Sequence, residues 1–225
     1  MLVVRPNQMG AQLSRLNITF RGDNTSMSQA RVLSDREVRK VLLFIAGRKH
    51  ASRNRALVLL SHYTGMRVGE LVSIRLGDVL TPDAEIKDEI RLKPGQTKGD
   101  RGRVVLLPKK AQNEIRQYLL NRFNTKDLKP VLLTDLNRAL FTTQKNADRG
   151  FTANTGAQVF HYIYRGAGIS GASSHSGRRG FITNLAAKGV AARVLMQLSG
   201  HRSLAVLQRY IDTDPQTVRK AVELI

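Results

Sequence analysis

Apolar residues recur at helical spacing along most of the chain. Ser34-Asp35-Arg36-Glu37 opens the first clear run as a capping box, in which Ser34 accepts from the Glu37 amide while Glu37 reaches back. Val38, Val41, Leu42 and Ile45 follow at steps of three and four, and Gly47 closes the helix. A second helix is predicted through RALVLLSHYT, stopping at Gly65; its apolar residues fall on several faces, which marks it as central and buried. A third spans about Val68 to Arg75, with Leu71, Val72 and Ile74 apolar. The period then changes. EIKDEIRL and RVVLL are short strand-like runs flanking KPGQTKGDRG, a hairpin with a basic tip. Pro108 starts KKAQNEIRQYLLNRF, a helix with Ile115, Leu119 and Leu120 inward, and residues 124–152 read as loops and short pieces. Thr155 is expected to cap a helix through Val159 and Ile163 that ends between Gly166 and Gly171. Three short helices follow: about 176–188, stopped by Gly189; 191–199, stopped by Gly200; and 203–211, capped by Ser203. Pro215 opens a last helix, QTVRKAVELI. The predicted class is mainly α with a small antiparallel β-sheet, an α+β chain without internal repeats. Residues 1–32 show no steady period and carry Arg5, Arg15, Arg21 and Arg31 against Asp23 alone, a basic arm or flexible leader before a folded unit over 33–225.

Composition narrows the partners. The chain has 225 residues, 37 Lys and Arg against 17 Asp and Glu, a formal charge of +20. A field of that sign attracts polyanions, nucleic acid first and an anionic membrane surface second. The charge is spread along the chain, which points to a folded basic surface more than to a basic tail. A hydrophobic fraction of 41% is enough for a real core. The absence of cysteine excludes disulfides, thiolate metal sites and cysteine nucleophiles, and it fits a reducing compartment. No apolar run approaches the ~20 residues of a bilayer span, and MLVVRPNQMGAQ is too poor in apolar residues for a signal peptide. The expectation is a soluble, cytoplasmic, basic protein.

The chemistry-bearing residues concentrate in SSHSGRRGFITNLAAKGVAARVLMQLSGHRSLAVLQRY, residues 173–210. His175 and Arg178 share one face at a helix start, where backbone amides and the positive end of the dipole favour a phosphate. His201 sits in a turn after Gly200, and Tyr210 follows nine residues later. Upstream, TGMRVGEL places Arg67 at a turn into a helix with Glu70 three residues on, and Lys98 stands at the hairpin tip with Arg101 and Arg103 nearby. Cations hold a phosphate, imidazoles move protons and a phenol can attack. Each piece also has a bland reading: a solvated cap, a boundary tyrosine, a surface ion pair, a basic turn. A phenol, with an ordinary pKa of about 10, needs cations or a base beside it to become a nucleophile.

In their order and spacing these motifs resemble the tyrosine recombinases, the phage integrase family. That family shows T-G-x-R-x-x-E-L, here TGMRVGEL at 64–71; a hairpin lysine followed by R-x-V, here Lys98 and Arg103-Val-Val; H-x-x-R, here His175 to Arg178; then Gly200-His201, and a tyrosine nine residues on, Tyr210. The resemblance covers about residues 33–225 and implies the tyrosine recombinase catalytic-domain fold. It implies that Arg67 and Arg178 clamp the scissile phosphate of double-stranded DNA with their planar forks. His201 would donate to the same phosphate, and His175 would assist proton transfer. Lys98 would be the general acid on the leaving 5′ oxygen, Glu70 would position Arg67, and Tyr210 would form a 3′-phosphotyrosyl link. Side-chain cations meet the charge, so neither cofactor, metal nor ATP is expected. The implied assembly is a homotetramer on two DNA sites, built from protomers that are monomers without DNA, in the nucleoid and away from membranes. Departures are the ~32 residues ahead of the domain, too few for the family's N-terminal core-binding domain; Arg179, where the family often has histidine; and LAVLQRY, which lacks a threonine often found there. A catalytically silent DNA-binding protein on this fold and a type IB topoisomerase are the alternatives; the first predicts loss of one of six catalytic side chains, and all six are present. The last helix, with Val218, Ala221, Val222 and Ile225 on one side, packs either on a neighbouring protomer or on its own domain.

Overall fold

The computed structural model describes residues 30–97, 101–143 and 149–210. Lys98, most of the basic arm and the helix expected after Pro215 lie outside the described residues. The elements run α1 (Asp35–Ala46), α2 (Ala51–Thr64), α3 (Val68–Val72), α4 (Leu76–Val79), β1 (Glu89–Leu92), β2 (Arg103–Leu106), α5 (Lys109–Phe123), α6 (Lys129–Leu132), α7 (Ala153–Gly166), α8 (Ser176–Ala187), α9 (Ala192–Ser199) and α10 (Leu204–Gln208). The class is the expected one: among the described residues, helices with one two-stranded antiparallel sheet, in which Glu89 faces Leu106 and Leu92 faces Arg103.

α1 begins in the predicted capping box, with Ser34 and Glu37 bonded in both directions, and buries Val41 and Ile45. α2 is the central helix. It buries Ala56 through Leu60 and packs against α1, α5 and α8, so its apolar residues need more than one face. It starts at Ala51, ahead of the apolar run, because Arg53 and Asn54 fold into the helix as a buried pair. α5 buries Ile115 and Leu119 as expected, together with Tyr118; Leu120 is half-buried.

Three further boundaries differ from the sequence reading, each for a local reason. The third helix stops at Val72 and resumes as α4, because backbone around Ile74 and Leu76 bonds across to residues 138–140 (Leu140 N to Ile74 O, 2.8 Å; Leu76 N to Arg138 O, 3.0 Å). The cap of α7 is Thr152, whose hydroxyl accepts from the Thr155 amide at 3.1 Å; Thr155 lies inside the helix. The helix after Ser203 ends at Gln208, which leaves Tyr210 in the turn beyond it.

Among the described residues, two apolar clusters result. The larger joins α1 to α7, among them Leu57, Leu71, Ile90, Ile115, Phe141 and Phe160. The smaller joins Ile182, Leu195 and Leu207 of α8, α9 and α10, with Phe181, Met196 and Tyr210 at its margin. Among the described residues, the three buried aliphatic side chains of this cluster contribute on the order of 5–9 kcal/mol before entropy is counted. Among the described residues, no helix is long and apolar enough to cross a membrane.

Candidate active site

The α2–α3 turn is built on Gly65, at φ 61°, where a Cβ would stand 2.5 Å from the Phe181 ring of α8. Only glycine meets both conditions without strain. The turn puts Arg67 at the start of α3 and Glu70 one turn in. The Arg67 amide donates to Glu70 Oε2 at 2.8 Å and its Nη1 to Glu70 Oε1 at 3.0 Å. This is no surface ion pair: Glu70 is 1% exposed, whereas the Arg67 side chain is 28% exposed.

Glu70 has a second partner. Arg103, the first residue of β2, donates from Nη2 to Oε2 at 2.7 Å and from Nε to Oε1 at 3.2 Å. Its Nη1 reaches the Leu198 carbonyl in the last turn of α9 at 3.1 Å. Its stem lies against Gly200, where a Cβ would meet Arg103 Cδ at 2.8 Å. One carboxylate thus accepts four hydrogen bonds from two arginines. Burial alone would push the Glu70 carboxyl up, but Arg103's bonds and charge, with Arg67 behind them, hold it below the usual carboxylate range. Sequence reasoning noted Arg103 as a neighbour of Lys98 and missed this role. The signal available was the arginine that opens the strand after the hairpin.

Arg178 comes from the first turn of α8 and is 1% exposed. Its Nη1 donates to Gly65 O and its Nη2 to Ser199 O, both at 2.7 Å, and Nη2 also stands 3.1 Å from His201 Nε2. Burial first, then the Arg67 charge, pushes its pKa down to about 10, which leaves it cationic at neutral pH. His201 follows Gly200, whose φ of 67° turns the chain out of α9. Ser199 Oγ donates its proton to Leu195 O, so His201 Nδ1, 2.8 Å from Ser199 Oγ, carries the ring proton and donates to Oγ; Nε2 then accepts from Arg178. Burial and the charges of Arg178, Arg67 and Arg103 push His201 down to about 4, so the ring is neutral.

Tyr210 packs its ring against His201, with centroids 4.9 Å apart, and lies close enough to Arg178 for their charges to interact. Thr183 of α8 donates its hydroxyl to the Tyr210 carbonyl at 2.7 Å, an anchor that sequence reasoning missed. His175 stands at the N-terminal end of α8 without a capping bond from its side chain, its amide donating to Ser173 Oγ at 3.2 Å. Partial burial and the charges of Arg178 and Arg67 lower its pKa. Arg179, flagged as the departure from pattern, is buried beside Arg178. The hairpin tip is closed by Thr97 Oγ1 donating to Arg101 O, but Lys98 lies between them, outside the described residues. Among the described residues, no group of three or more His, Asp or Glu side chains is placed to hold a metal.

The structure therefore brings Arg67, Glu70, Arg178, His201 and Tyr210 together from four separate segments and adds Arg103. Arrayed this way, three guanidinium groups and one carboxylate form an electropositive cluster beside the Tyr210 ring, an arrangement suited to an anion and to attack on it.

Comparison with known proteins agrees in extent. The model of the phage integrase family matches residues 31–217. Tyrosine recombinase XerA of Pyrococcus furiosus is 29% identical over 191 residues, 85% of this chain and 60% of that protein. XerA of Thermococcus kodakarensis is 32% identical over 196 residues, 87% of this chain and 63% of that protein. The chain thus spans less than two thirds of the length of these curated relatives. A crystal structure of XerA recombinase superposes with a TM-score of 0.66 at 25% identity, covering 86% of this chain and 64% of that one. The Tn1549 transposon integrase in complex with transposon right end DNA shares the fold at 18% identity, with a TM-score of 0.63, over 88% of this chain and 66% of that one. Motif order, fold and a family match over most of its length agree: the chain belongs to the phage integrase family.

Proposed function

We propose that the protein is a site-specific DNA recombinase that cleaves and rejoins double-stranded DNA through a 3′-phosphotyrosyl intermediate. The observation that carries this reading is the convergence of Arg67, Arg178 and His201 on one cleft with the Tyr210 ring against His201. A scissile phosphate enters beside Arg67, the more exposed arginine. Arg178 turns Nη2 from His201 toward a phosphate oxygen. The anion also offsets the cation charges that, after burial, keep His201 neutral, so that His201 takes a second proton and donates from Nε2. Tyr210 Oη attacks phosphorus and the P–O5′ bond breaks. Lys98, at the hairpin tip, protonates the leaving 5′ oxygen, and His175 assists removal of the phenolic proton. Reversal by a 5′-hydroxyl of a second strand rejoins DNA without ATP, because the phosphotyrosyl ester conserves the bond.

In this reading residues 33–225 are the catalytic domain and residues 1–32 a basic leader. Four protomers act on two DNA sites in the nucleoid. XerA, the relative named above, carries the name of a tyrosine recombinase, which supports the same reaction class here. The test is a suicide duplex, nicked just downstream of the cleavage point so that the short fragment bearing the free 5′-hydroxyl is lost and rejoining fails. The parent protein is expected to form a denaturant-stable protein–DNA adduct and Tyr210→Phe none. An adduct with Tyr210→Phe overturns the assignment of the nucleophile. Tight binding without any adduct supports instead a silent DNA-binding protein on this fold.

A further inference from the structure

Tyr210 stands in the turn past the end of α10. α10 is five residues long, and its buried residue is Leu207. So short an element gives a side chain beyond its end little rigidity of its own. The backbone of Tyr210 is nevertheless held on both sides. Its amide donates to Leu207 O at 2.8 Å, a bond within the turn. Its carbonyl accepts from Thr183 Oγ1 at 2.7 Å, a bond that crosses 27 positions to another helix.

The donor is placed where its hydroxyl has a competing use. A threonine inside a helix can turn its hydroxyl back to the carbonyl four residues earlier, here that of Arg179. The hydroxyl has one proton. Given to the Tyr210 carbonyl, at the ordinary length of an O–H···O bond, that proton serves the turn and not α8. Thr183 also shares its helix with Arg178, five residues and about 7.5 Å of axis earlier. Arg178 is fixed in turn, with Nη1 on Gly65 O and Nη2 on Ser199 O. Ile182, next to Thr183, packs in the cluster of Leu195 and Leu207. α8 therefore carries both the buried guanidinium and the hydroxyl that holds the backbone from which the phenol extends. A helix keeps its rise, so the spacing of the two is set by α8 and not by α10.

We propose that Thr183 is a positioning residue for the nucleophile: by tying the Tyr210 carbonyl to α8, it sets the phenol at attacking range of a phosphate held by Arg178. The inference rests on the reading of Tyr210 as nucleophile. Thr183 acts through Tyr210 and touches neither substrate nor the reacting atoms. A misplacement of about 1 Å costs on the order of 10²-fold in rate. Valine keeps the shape of threonine and lacks the proton, so Thr183→Val releases the carbonyl with little change in volume.

The experiment uses the full chain and the suicide duplex, with protein in excess so that a single round of cleavage is timed. Thr183→Val is expected to form the adduct about 10- to 100-fold more slowly than the parent. Thr183→Ser keeps the donor and is expected to stay close to the parent. A second nucleophile separates positioning from general damage. Hydrogen peroxide needs no chain to carry it. In a Tyr210→Phe background its oxygen bonds to phosphorus, the P–O5′ bond breaks, and a peroxide proton ends on the 5′ oxygen. Strand cleavage by peroxide is expected to be the same with and without Thr183→Val. Four results overturn the proposal: equal adduct rates for the parent and Thr183→Val; Thr183→Ser as slow as Thr183→Val; peroxide cleavage that falls in proportion to the adduct rate, since the hydroxyl then supports the whole cluster; and no peroxide cleavage at all, since a residue that acts only through Tyr210 presupposes a phosphate site that works without it. If circular dichroism shows Thr183→Val unfolded, Thr183→Ala, smaller and a better helix former, carries the same expectations. The two readings fail differently. A parent that forms no adduct sinks the recombinase reading and this inference with it, whereas equal adduct rates in parent and variant sink the role of Thr183 alone.

Discussion

Replacing Glu70 by glutamine tests whether the cleft is held by one shared carboxylate. In the folded protein each Glu70 oxygen accepts two hydrogen bonds: Oε2 from the Arg67 amide and Arg103 Nη2, and Oε1 from Arg67 Nη1 and Arg103 Nε. Glutamine keeps the shape, but it has one acceptor oxygen. Its NH₂ group faces two donors wherever it points. Arg103, 12% exposed, is left as a nearly buried cation without its anion. Removing one partner of a buried pair costs about 3–5 kcal/mol. For a chain of this size each kcal/mol moves the melting temperature by about 2–4 °C, so Glu70→Gln is expected to melt about 6–20 °C below the parent at pH 7. The pH dependence adds a sign. Glu70's folded pKa lies below its ordinary value of 4.5, so its contribution is complete above that value and is lost as pH falls through the folded pKa. The gap between parent and variant, followed by circular dichroism melts, should be constant from neutrality to about pH 5.5 and close in stronger acid. A gap under about 2 °C at pH 7, or one unchanged down to the parent's acid unfolding, refutes the shared-carboxylate account.

Two further outcomes follow from the site. Gly65→Ala combines a left-handed backbone with a Cβ 2.5 Å from Phe181 and displaces the carbonyl that holds Arg178 Nη1; a loss of about 2–4 kcal/mol is expected in denaturant melts, and an unchanged midpoint contradicts the turn geometry. Lys98→Ala should slow cleavage by about 10²–10⁴-fold, and a bridging 5′-thiolate leaving group, which needs little protonation, should restore the rate; no rescue moves the general acid to another residue.

Local signals carried well from sequence to structure. The Ser34–Glu37 capping box, the stops at Gly65 and Gly200 and the pairing of Arg67 with Glu70 involve residues within four positions, where short-range geometry decides. The tie between Glu70 and Arg103 spans 33 positions and that between Thr183 and Tyr210 spans 27. Such bonds leave no periodic trace, because any arginine on any strand could make them. The break between α3 and α4 was hidden for a related reason: Ile74 keeps helical spacing, but its carbonyl is captured by Leu140 from a segment without regular structure. The start of α2 was hidden because Arg53 and Asn54 are polar and yet buried, paired with each other in place of an apolar contact.

The arithmetic of charge in the cleft has a consequence for folding itself. Arg67, Arg103 and Arg178 act on one another across a space in which Glu70 is the carboxylate they share. The unliganded fold therefore carries about two positive charges in excess at a partly dry place, and those charges repel. A polyanion seated there supplies what the chain lacks. By mass action, a ligand at a hundred times its Kd adds about 2.7 kcal/mol to stability, and α9 and α10, which bring in Gly200, His201 and Tyr210, are placed to share in it. Under the proposed function the substrate is then also a structural member of its own enzyme: the segment that carries the Tyr210 phenol is most firmly seated when DNA is present.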